Sequence, residues 1–328
     1  LDLAGIDHLT IFLKGYNKTV LVISHDADFL NSFTDGVLYL NVQNRQVEQY
    51  NGNYHAVLKD IATRVEREQR QNAQLAKEIQ ANKEKINYFS NKGGKMRLVA
   101  KRMRDDIEEA EENKVEVRRE DKTIRSFTIE TQLDVPLDVV KLTSYKVIRD
   151  HIPKDVECNL ILKRGSHLQI IGPNGIGKTT LLESLASGKA KGEQVTAGVK
   201  IGYYRQDFSN LEFDKTVFET LMDSMPKKIE EDMRSIAAGF LLFSDVLKSK
   251  VGNLSEGQKG LVAFAKLTME RPGLLILDEP TNHINFRHIP VIATALHEYK
   301  GAMILVSHVP EFVEQIRIDE VLDLGKRK

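Results

Sequence analysis

A glycine-rich loop constrains the fold of this 328-residue chain more than any other feature of its sequence. The loop follows the apolar run Gln169–Ile171, precedes the leucine-rich stretch Thr180–Ala186 and matches the pattern G-x-x-x-x-G-K-[ST]. A strand, this loop and a helix form the context in which the pattern binds phosphate. The residues predicted to bind the nucleotide are Gly172, Pro173, Asn174, Gly175, Ile176, Gly177, Lys178, Thr179 and Thr180.

The loop and a second apolar run have separate predicted roles in binding a nucleoside triphosphate with Mg²⁺. Backbone N–H groups of the loop would face the β-phosphate, where the helix N-terminus adds partial positive charge. Lys178 would bridge the β- and γ-phosphates, and Thr179 would bind Mg²⁺. The run Leu274–Leu277 ends in two carboxylates: Asp278 would hold the Mg²⁺ shell, and Glu279 would orient or deprotonate the attacking water.

A hydrophobic-Ser-His phrase occurs twice, because His25 and His308 follow similar apolar runs and lie 283 positions apart (308 − 25). Each run, at Val20–Ile23 and at Met303–Val306, predicts a buried parallel strand that delivers its histidine to a site. The repeat therefore predicts that the chain begins within a first copy of a domain whose second copy is complete.

Further segments make the chain resemble a known family. Leu254–Gln258 reads LSEGQ and resembles the LSGGQ signature of ATP-binding cassette (ABC) ATPases, and Gln206 occupies the position of their Q-loop glutamine. Asp278–His283 reads DEPTNH and Tyr50–Tyr54 reads YNGNY, as in the ABC-F family of soluble tandem ABC ATPases that act on ribosomes. The chain is identified as an ABC-F member that lacks its N-terminal part.

The resemblance implies an α/β fold: a P-loop ABC-type ATPase domain with a helical subdomain, preceded by an antiparallel helical hairpin and a partial first ABC domain. The expected boundaries are 1–55 for the tail of the first ABC domain, 56–125 for the hairpin and 126–328 for the second ABC domain. Thr216–Val246 is expected to form the helical subdomain, and Gly198–Tyr204 the strand before the Q-loop. ATP and Mg²⁺ are the implied ligands, and ATP hydrolysis is the implied reaction.

In ABC ATPases two domains face head to tail, so that each ATP lies between the P-loop of one domain and the signature of the other. The resemblance implies that a missing first half in the same polypeptide completes the site around Lys178, and that Asp2 and His25 are remnants of that half. The implied catalytic residues are Glu279, His308 and Gln206. The implied metal ligands are Thr179, Gln206 and Asp278. The implied signature residues are Leu254, Ser255, Glu256, Gly257 and Gln258.

Three residues depart from the family pattern. Asn285 replaces an aspartate, Val309 replaces the aspartate that follows the histidine, and Glu256 replaces the first glycine of the signature. Asn285 and Glu256 would both serve the ATP site built on the missing P-loop. That site is therefore expected to be weaker than the site around Lys178.

The segment between the two ATPase regions predicts a helical arm. From Ile61 to about Ile124 the sequence has no proline, and glycine occurs only at Gly93-Gly94, which predicts two antiparallel helices with a turn there. The basic tip of this arm comprises Lys92, Lys95, Arg97, Lys101, Arg102 and Arg104. A solvated helix with i,i+4 ion pairs to the acidic stretch 105–112 explains these charges, and so does contact with RNA phosphates. The resemblance favours the second explanation, with rRNA and tRNA of the ribosome as partners.

The amino-acid composition excludes few classes of function. The 47 basic and 47 acidic residues cancel, so no global field attracts nucleic acid or membrane. No apolar run approaches the roughly 20 residues that span a bilayer, and a single cysteine fits a reducing, cytoplasmic compartment.

Two alternative functions stay open: the ATP-binding subunit of an ABC transporter and a DNA-binding ABC ATPase. Tyr145 lies in the region before the P-loop that suits stacking on adenine, but a packing role explains it equally well.

Overall fold

The computed structural model describes residues 3–24, 27–41 and 46–54, scattered positions between 56 and 86, and then 123–149, 152–188 and 192–326. Contacts divide the chain into two compact units, one of residues 1–9 with 123–328 and one of residues 10–122. The larger unit contains the P-loop and the signature. The boundaries at 55/56 and 125/126 stay predictions.

The N-terminal part contains two helices and a hairpin. Its elements are α1 (Leu3–Lys14), α2 (Ala27–Phe33), β1 (Gly36–Asn41) and β2 (Gln46–Asn51). Strands β1 and β2 pair antiparallel, with Val37 opposite Tyr50. Every described position from residue 54 to 86 is helical, as predicted for the first helix of the arm, and Ile79 and Ile86 are buried. The tip and the return helix of the predicted arm lie outside the described residues.

The prediction of a buried strand at Val20–Ile23 is wrong. The structure assigns no strand to these residues, and Leu21 and Ile23 are 78% and 91% exposed. A parallel strand exists only where neighbouring strands accept its hydrogen bonds, and no described residue pairs with this segment. The matching run near the C-terminus has such neighbours and forms a buried strand.

The larger unit is built around a five-stranded parallel sheet. Its strands in chain order are β3 (Asp138–Arg149), β4 (Ile152–Lys163), β5 (His167–Ile171), β6 (Glu193–Val195), β7 (Ile201–Tyr204), β8 (Leu274–Asp278), β9 (Ala302–Val306) and β10 (Glu320–Asp323). The parallel sheet has the spatial order β10-β5-β9-β8-β7, and β4, β3 and β6 form a separate antiparallel sheet. All residues of β8 and β9 are buried, as expected for central parallel strands covered on both faces.

Helices cover the parallel sheet and form the predicted helical subdomain. They are α3 (Lys178–Ser187), α4 (Val217–Asp223), α5 (Glu230–Gly239), α6 (Ser244–Lys248), α7 (Glu256–Glu270), α8 (Ile289–His297) and α9 (Pro310–Val313). A capping box between Thr216 and Glu219 starts α4, because each side chain accepts a hydrogen bond from the other residue's backbone N–H. Helices α4 to α6 confirm the expectation of helical structure over Thr216–Val246.

The core lies on both faces of the parallel sheet, because successive side chains of a strand point to opposite faces. Leu275 and Leu277 belong to the cluster formed with helices α4 to α8. Leu274 and Ile276 belong to the cluster formed with β3, β4 and α3. The α/β fold class is thus confirmed, with the P-loop helix and the helical subdomain packed through different clusters.

An extended segment, residues 123–132, leads from the arm region into the larger unit, and we call it the strap. Ile124 and Ile129 of the strap are 3% and 4% exposed. The ring centroid of Phe127 lies 4.7 Å from that of Phe240, which caps α5, and 6.3 Å from that of Phe264 on α7. The strap is therefore anchored on the helical subdomain.

Candidate nucleotide-binding site

The P-loop has the local structure that the sequence predicts. It connects β5 to α3, and Gly172 and Gly177 have positive φ angles of 148° and 108°. A Cβ atom at Gly172 would lie 3.3 Å from Cγ2 of Ile176, and one at Gly177 would lie 3.4 Å from the carbonyl oxygen of Lys146. Glycine is required at both positions because other residues rarely adopt this backbone conformation and would crowd their neighbours.

Lys178 points back into the loop and is only 8% exposed. Its ammonium donates to the carbonyl oxygens of Gly172 and Pro173 at 2.8 and 3.1 Å. A buried ammonium needs oxygen acceptors, and phosphate oxygens are stronger, charged acceptors than carbonyls. The lysine is thus placed to exchange neutral partners for a phosphate.

The structure brings Thr179 and Asp278 together. Asp278 ends β8, next to the carboxyl end of β9 in the sheet, and the Thr179 hydroxyl donates a hydrogen bond to its carboxylate. Burial raises the pKa of Asp278, whereas the Thr179 hydroxyl and Lys178 lower it. These two oxygen ligands, predicted from positions far apart in sequence, meet at one edge of the sheet.

Glu279 lies beside His308 because their strands end together. The register pairs Asp278 with Val306, so the residues that follow β8 and β9 are neighbours. The backbone N–H of His308 donates to Oε2 of Glu279 at 3.2 Å, and Nε2 of His308 lies 3.4 Å from Oε1 without hydrogen-bond alignment. Glu279 also adopts a left-handed φ of 48°, a strain that its N–H bond to the Val306 carbonyl at 2.9 Å stabilises.

The electrostatic environment of Glu279 suits a general base. Its side chain is buried, and burial raises its pKa to about 7, while the His308 backbone N–H acts in the opposite direction. Among the residues that the structure describes, none forms a hydrogen bond with the buried Oε1. Buried acceptors in proteins are normally satisfied, so an unsatisfied carboxylate oxygen at this edge is suited to receive a proton from water.

Gln206 follows β7 in an exposed turn, which agrees with its predicted position after the strand. The residue before Gln206, Arg205, makes two ion pairs that sequence reasoning missed. It binds Glu183 of α3 and Asp207 of the same turn. The available signal was weak, because Glu183 is the i+4 neighbour of Thr179 but helices carry many such glutamates.

The signature segment forms the N-terminus of α7. The side chains and backbone N–H groups of Ser255 and Gln258 form a reciprocal capping box, and Leu254 is buried. Glu256, which replaces a signature glycine, pairs with Nδ1 of His283 at 2.7 Å. This contact lies at the helix end where a glycine would leave the backbone N–H groups open, and it was not predicted.

Other predicted site residues pack in the core, stabilise a turn or lie outside the described residues. Tyr145 is 7% exposed and belongs to the cluster of β3, β4 and α3, which favours the packing role, and stacking on adenine stays a prediction. Asn285 accepts the backbone N–H of Arg287 at 3.1 Å and so stabilises its own turn. The residues outside the described part of the chain are Asp2, His25, Lys92, Lys95, Arg97, Lys101, Arg102 and Arg104.

The residues present fit a nucleotide with Mg²⁺. The loop offers a lysine and a helix N-terminus to phosphate, and the hydroxyl and carboxylate of Thr179 and Asp278 are oxygen ligands that Mg²⁺ prefers. The unsatisfied Oε1 of Glu279 adds an acceptor for a water proton. The arrangement is therefore suited to hydrolysis of a phosphoanhydride bond by attack of water.

Comparisons with known proteins agree with this chemistry. The family model described as "ABC transporter" matches residues 156–282. "Putative ATP-binding protein YdiF" of Bacillus subtilis is 30% identical over 99% of this chain and 50% of its own length. "Probable ATP-binding protein YbiT" of Escherichia coli is 34% identical over 96% of this chain and 60% of its own length.

A mammalian relative is similar to the same extent. "ATP-binding cassette sub-family F member 2" of Mus musculus is 30% identical over 96% of this chain and 51% of its own length. The chain thus spans 50–60% of the length of these three relatives. Within the described part of the chain, no helix combines the length and the apolar character needed to cross a membrane.

Proposed function

Because the chain is an ATP-binding cassette protein with relatives in sub-family F, we propose that it binds and hydrolyses ATP and that the resulting domain closure moves the helical arm on the ribosome. The observation that carries the proposed hydrolysis is Glu279, a buried carboxylate with one unsatisfied oxygen beside His308. It lies at the same edge of the sheet as Asp278 and Thr179.

Each residue of the site has a proposed role. Lys178 binds the phosphates, and Thr179, Asp278 and Gln206 hold Mg²⁺, which when bound neutralises charge on the β- and γ-phosphates. Glu279 accepts the proton of the attacking water at Oε1. A pKa of about 7 matches a general base that works near neutral pH. His308 orients this carboxylate through its backbone N–H on Oε2.

A first cassette half in the same polypeptide is proposed to complete the site. Asp2 and His25 would be remnants of that half. The signature of this chain would in turn serve the nucleotide bound by the first half. There the carboxylate of Glu256 replaces a glycine, and like charge repels a phosphate. The site around Lys178 is therefore the proposed main site of hydrolysis.

The strap supports a link between nucleotide and arm. Helix α7 begins at the signature and packs through Phe264 on Phe127 of the strap. Movement of the signature towards a nucleotide would therefore pull on the strap and the arm that precedes it. The basic tip, with six Lys and Arg residues and no acidic residue between 92 and 104, is proposed to contact rRNA and tRNA.

Ribosome co-sedimentation with the full-length protein tests this function. Glu279→Gln should bind ATP without hydrolysing it, so it should stay closed and sediment with ribosomes in the presence of ATP. Combining it with Lys178→Ala, which removes the phosphate ligand, should abolish that retention. Equal retention of both variants, or none in either, would contradict the proposal.

The two alternatives predict different outcomes in the same experiment. The description of the matched family model favours an ABC transporter subunit, for which Glu279→Gln would be recovered with a membrane permease. A DNA-binding ABC ATPase would instead show ATP-dependent affinity for duplex DNA that exceeds its affinity for ribosomes at equal salt concentration.

A further inference from the structure

Arg205 joins the Q-loop to the P-loop helix. It lies directly before Gln206, and its guanidinium bonds to the carboxylate of Glu183 on α3. The same guanidinium donates to Oδ1 and Oδ2 of Asp207 at 3.0 and 3.3 Å and lies 5.4 Å from the ring centroid of Tyr203. Arg205 is thus held on three sides, which fixes the start of the Q-loop.

Glu183 places this contact next to the predicted metal ligand of α3. Residues four apart lie on the same face of a helix, one turn from each other, so Glu183 and Thr179 share a face of α3. An arginine that binds Glu183 therefore holds the Q-loop against the face of α3 that carries Thr179.

The sheet register places Arg205 beside the other ligand. Tyr204 of β7 pairs with Leu277 of β8, so the next residues, Arg205 and Asp278, leave neighbouring strands at the same level. Three elements that carry predicted Mg²⁺ ligands, α3, β8 and the Q-loop, thus converge on this one arginine.

We propose that Arg205 is a positioning residue: by binding Glu183, it holds the Q-loop so that Gln206 lies in register with Thr179 and Asp278 at the Mg²⁺ site. This inference rests on the proposed function of the P-loop site. Arg205 itself carries positive charge and is no metal ligand, so its effect on Mg²⁺ is exerted through the position of Gln206.

The sign of its effect on Mg²⁺ binding separates positioning from simple charge. Removing a nearby cation would strengthen the binding of another cation. Loss of a residue that orients metal ligands instead typically weakens metal binding by about 10–100-fold. We expect Arg205→Ala to raise the Mg²⁺ concentration that half-saturates nucleotide binding by about 10-fold.

The experiment titrates MgCl₂ into the full 328-residue chain with the fluorescent analogue mant-ATP and follows mant fluorescence. Affinity for mant-ATP in EDTA should not change in Arg205→Ala, because Lys178 and the P-loop are intact. Arg205→Lys keeps the charge but cannot bind Glu183 and Asp207 as a fork, so we expect it to shift the midpoint in the same direction. It also carries the test if circular dichroism shows that Arg205→Ala does not fold.

Arg234→Ala is the matched control, since Arg234 also pairs with a carboxylate, Glu230 at 2.8 Å, and lies 5.4 Å from the ring of Phe218 in the helical subdomain. It should leave the Mg²⁺ midpoint unchanged. An unchanged or lower midpoint in both Arg205 variants would overturn the inference and leave the proposed function intact. Failure of the unsubstituted chain to bind mant-ATP would instead overturn the proposed function.

Discussion

Replacement of Glu279 by glutamine should stabilise the nucleotide-free chain in a pH-dependent way. Burial raises the pKa of Glu279 to about 7, against 4.5 for an unburied glutamate. Below pH 4.5 the carboxyl is protonated in both the folded and the unfolded chain. The unsubstituted chain and Glu279→Gln should therefore be equally stable there. As pH rises, only the unfolded chain ionises at first, and the free energy of unfolding falls until pH exceeds about 7.

The magnitude follows from the two pKa values. At about 1.4 kcal/mol for each pKa unit, the full cost of burying this carboxyl is about 3 kcal/mol above pH 7. At pH 5 less than about 1 kcal/mol of it is present, because this pH lies only just above the pKa of the unfolded glutamate and the folded one still keeps its proton. Glutamine keeps the shape and the acceptor for the His308 N–H without the charge. The gain from Glu279→Gln should therefore be about 2–3 kcal/mol larger at pH 8 than at pH 5.

Urea unfolding at the two pH values measures this gain. The chain has no tryptophan, so circular dichroism at 222 nm is the suitable signal. Glu320→Gln, at an exposed position, serves as the control and should change the free energy of unfolding by less than about 0.5 kcal/mol at either pH. A gain that is the same at pH 5 and pH 8 would refute the reasoning, because it would show that Glu279 does not keep its proton when the chain folds.

Three other predictions address binding, catalysis and coupling. Lys178→Ala should abolish mant-ATP binding in a fluorescence titration, since it removes the phosphate ligand of the P-loop; tight residual binding would contradict this role. His308→Ala keeps the backbone N–H on Oε2 of Glu279 but removes the imidazole that lies 3.4 Å from Oε1. It should lower the kcat of ATP hydrolysis by the full-length protein by about 100-fold and leave mant-ATP affinity unchanged, and an unaltered kcat would exclude a catalytic role for the imidazole. Phe127→Ala should lower the free energy of unfolding, measured with urea, by about 2–3 kcal/mol. In the Glu279→Gln background it should also reduce ATP-dependent ribosome retention, although mant-ATP still binds. Full retention would argue against the strap as the link between nucleotide and arm.

Several elements could be predicted from the sequence because their signals are local. The P-loop needs glycine where φ is positive, its strand and helix flank it directly, and β8 and β9 read as continuous apolar runs since both of their faces are covered. Short motifs also carry the family resemblance, and that resemblance implied the helical subdomain. The strand predicted at Val20–Ile23 did not form although its residue types favour one, because strand formation depends on a neighbouring strand as well as on its own residues.

The sequence by itself determined which residues carry charge, hydroxyl groups and backbone freedom, since these are properties of single residues and short motifs. Only the tertiary structure decided which of them meet. The register of β8 with β9 places Glu279 beside His308, and the register of β7 with β8 places Arg205 at the level of Asp278. Burial, which raises the pKa of Glu279 and removes Tyr145 from the surface, depends on atoms contributed by distant parts of the chain, and no local pattern contains that information.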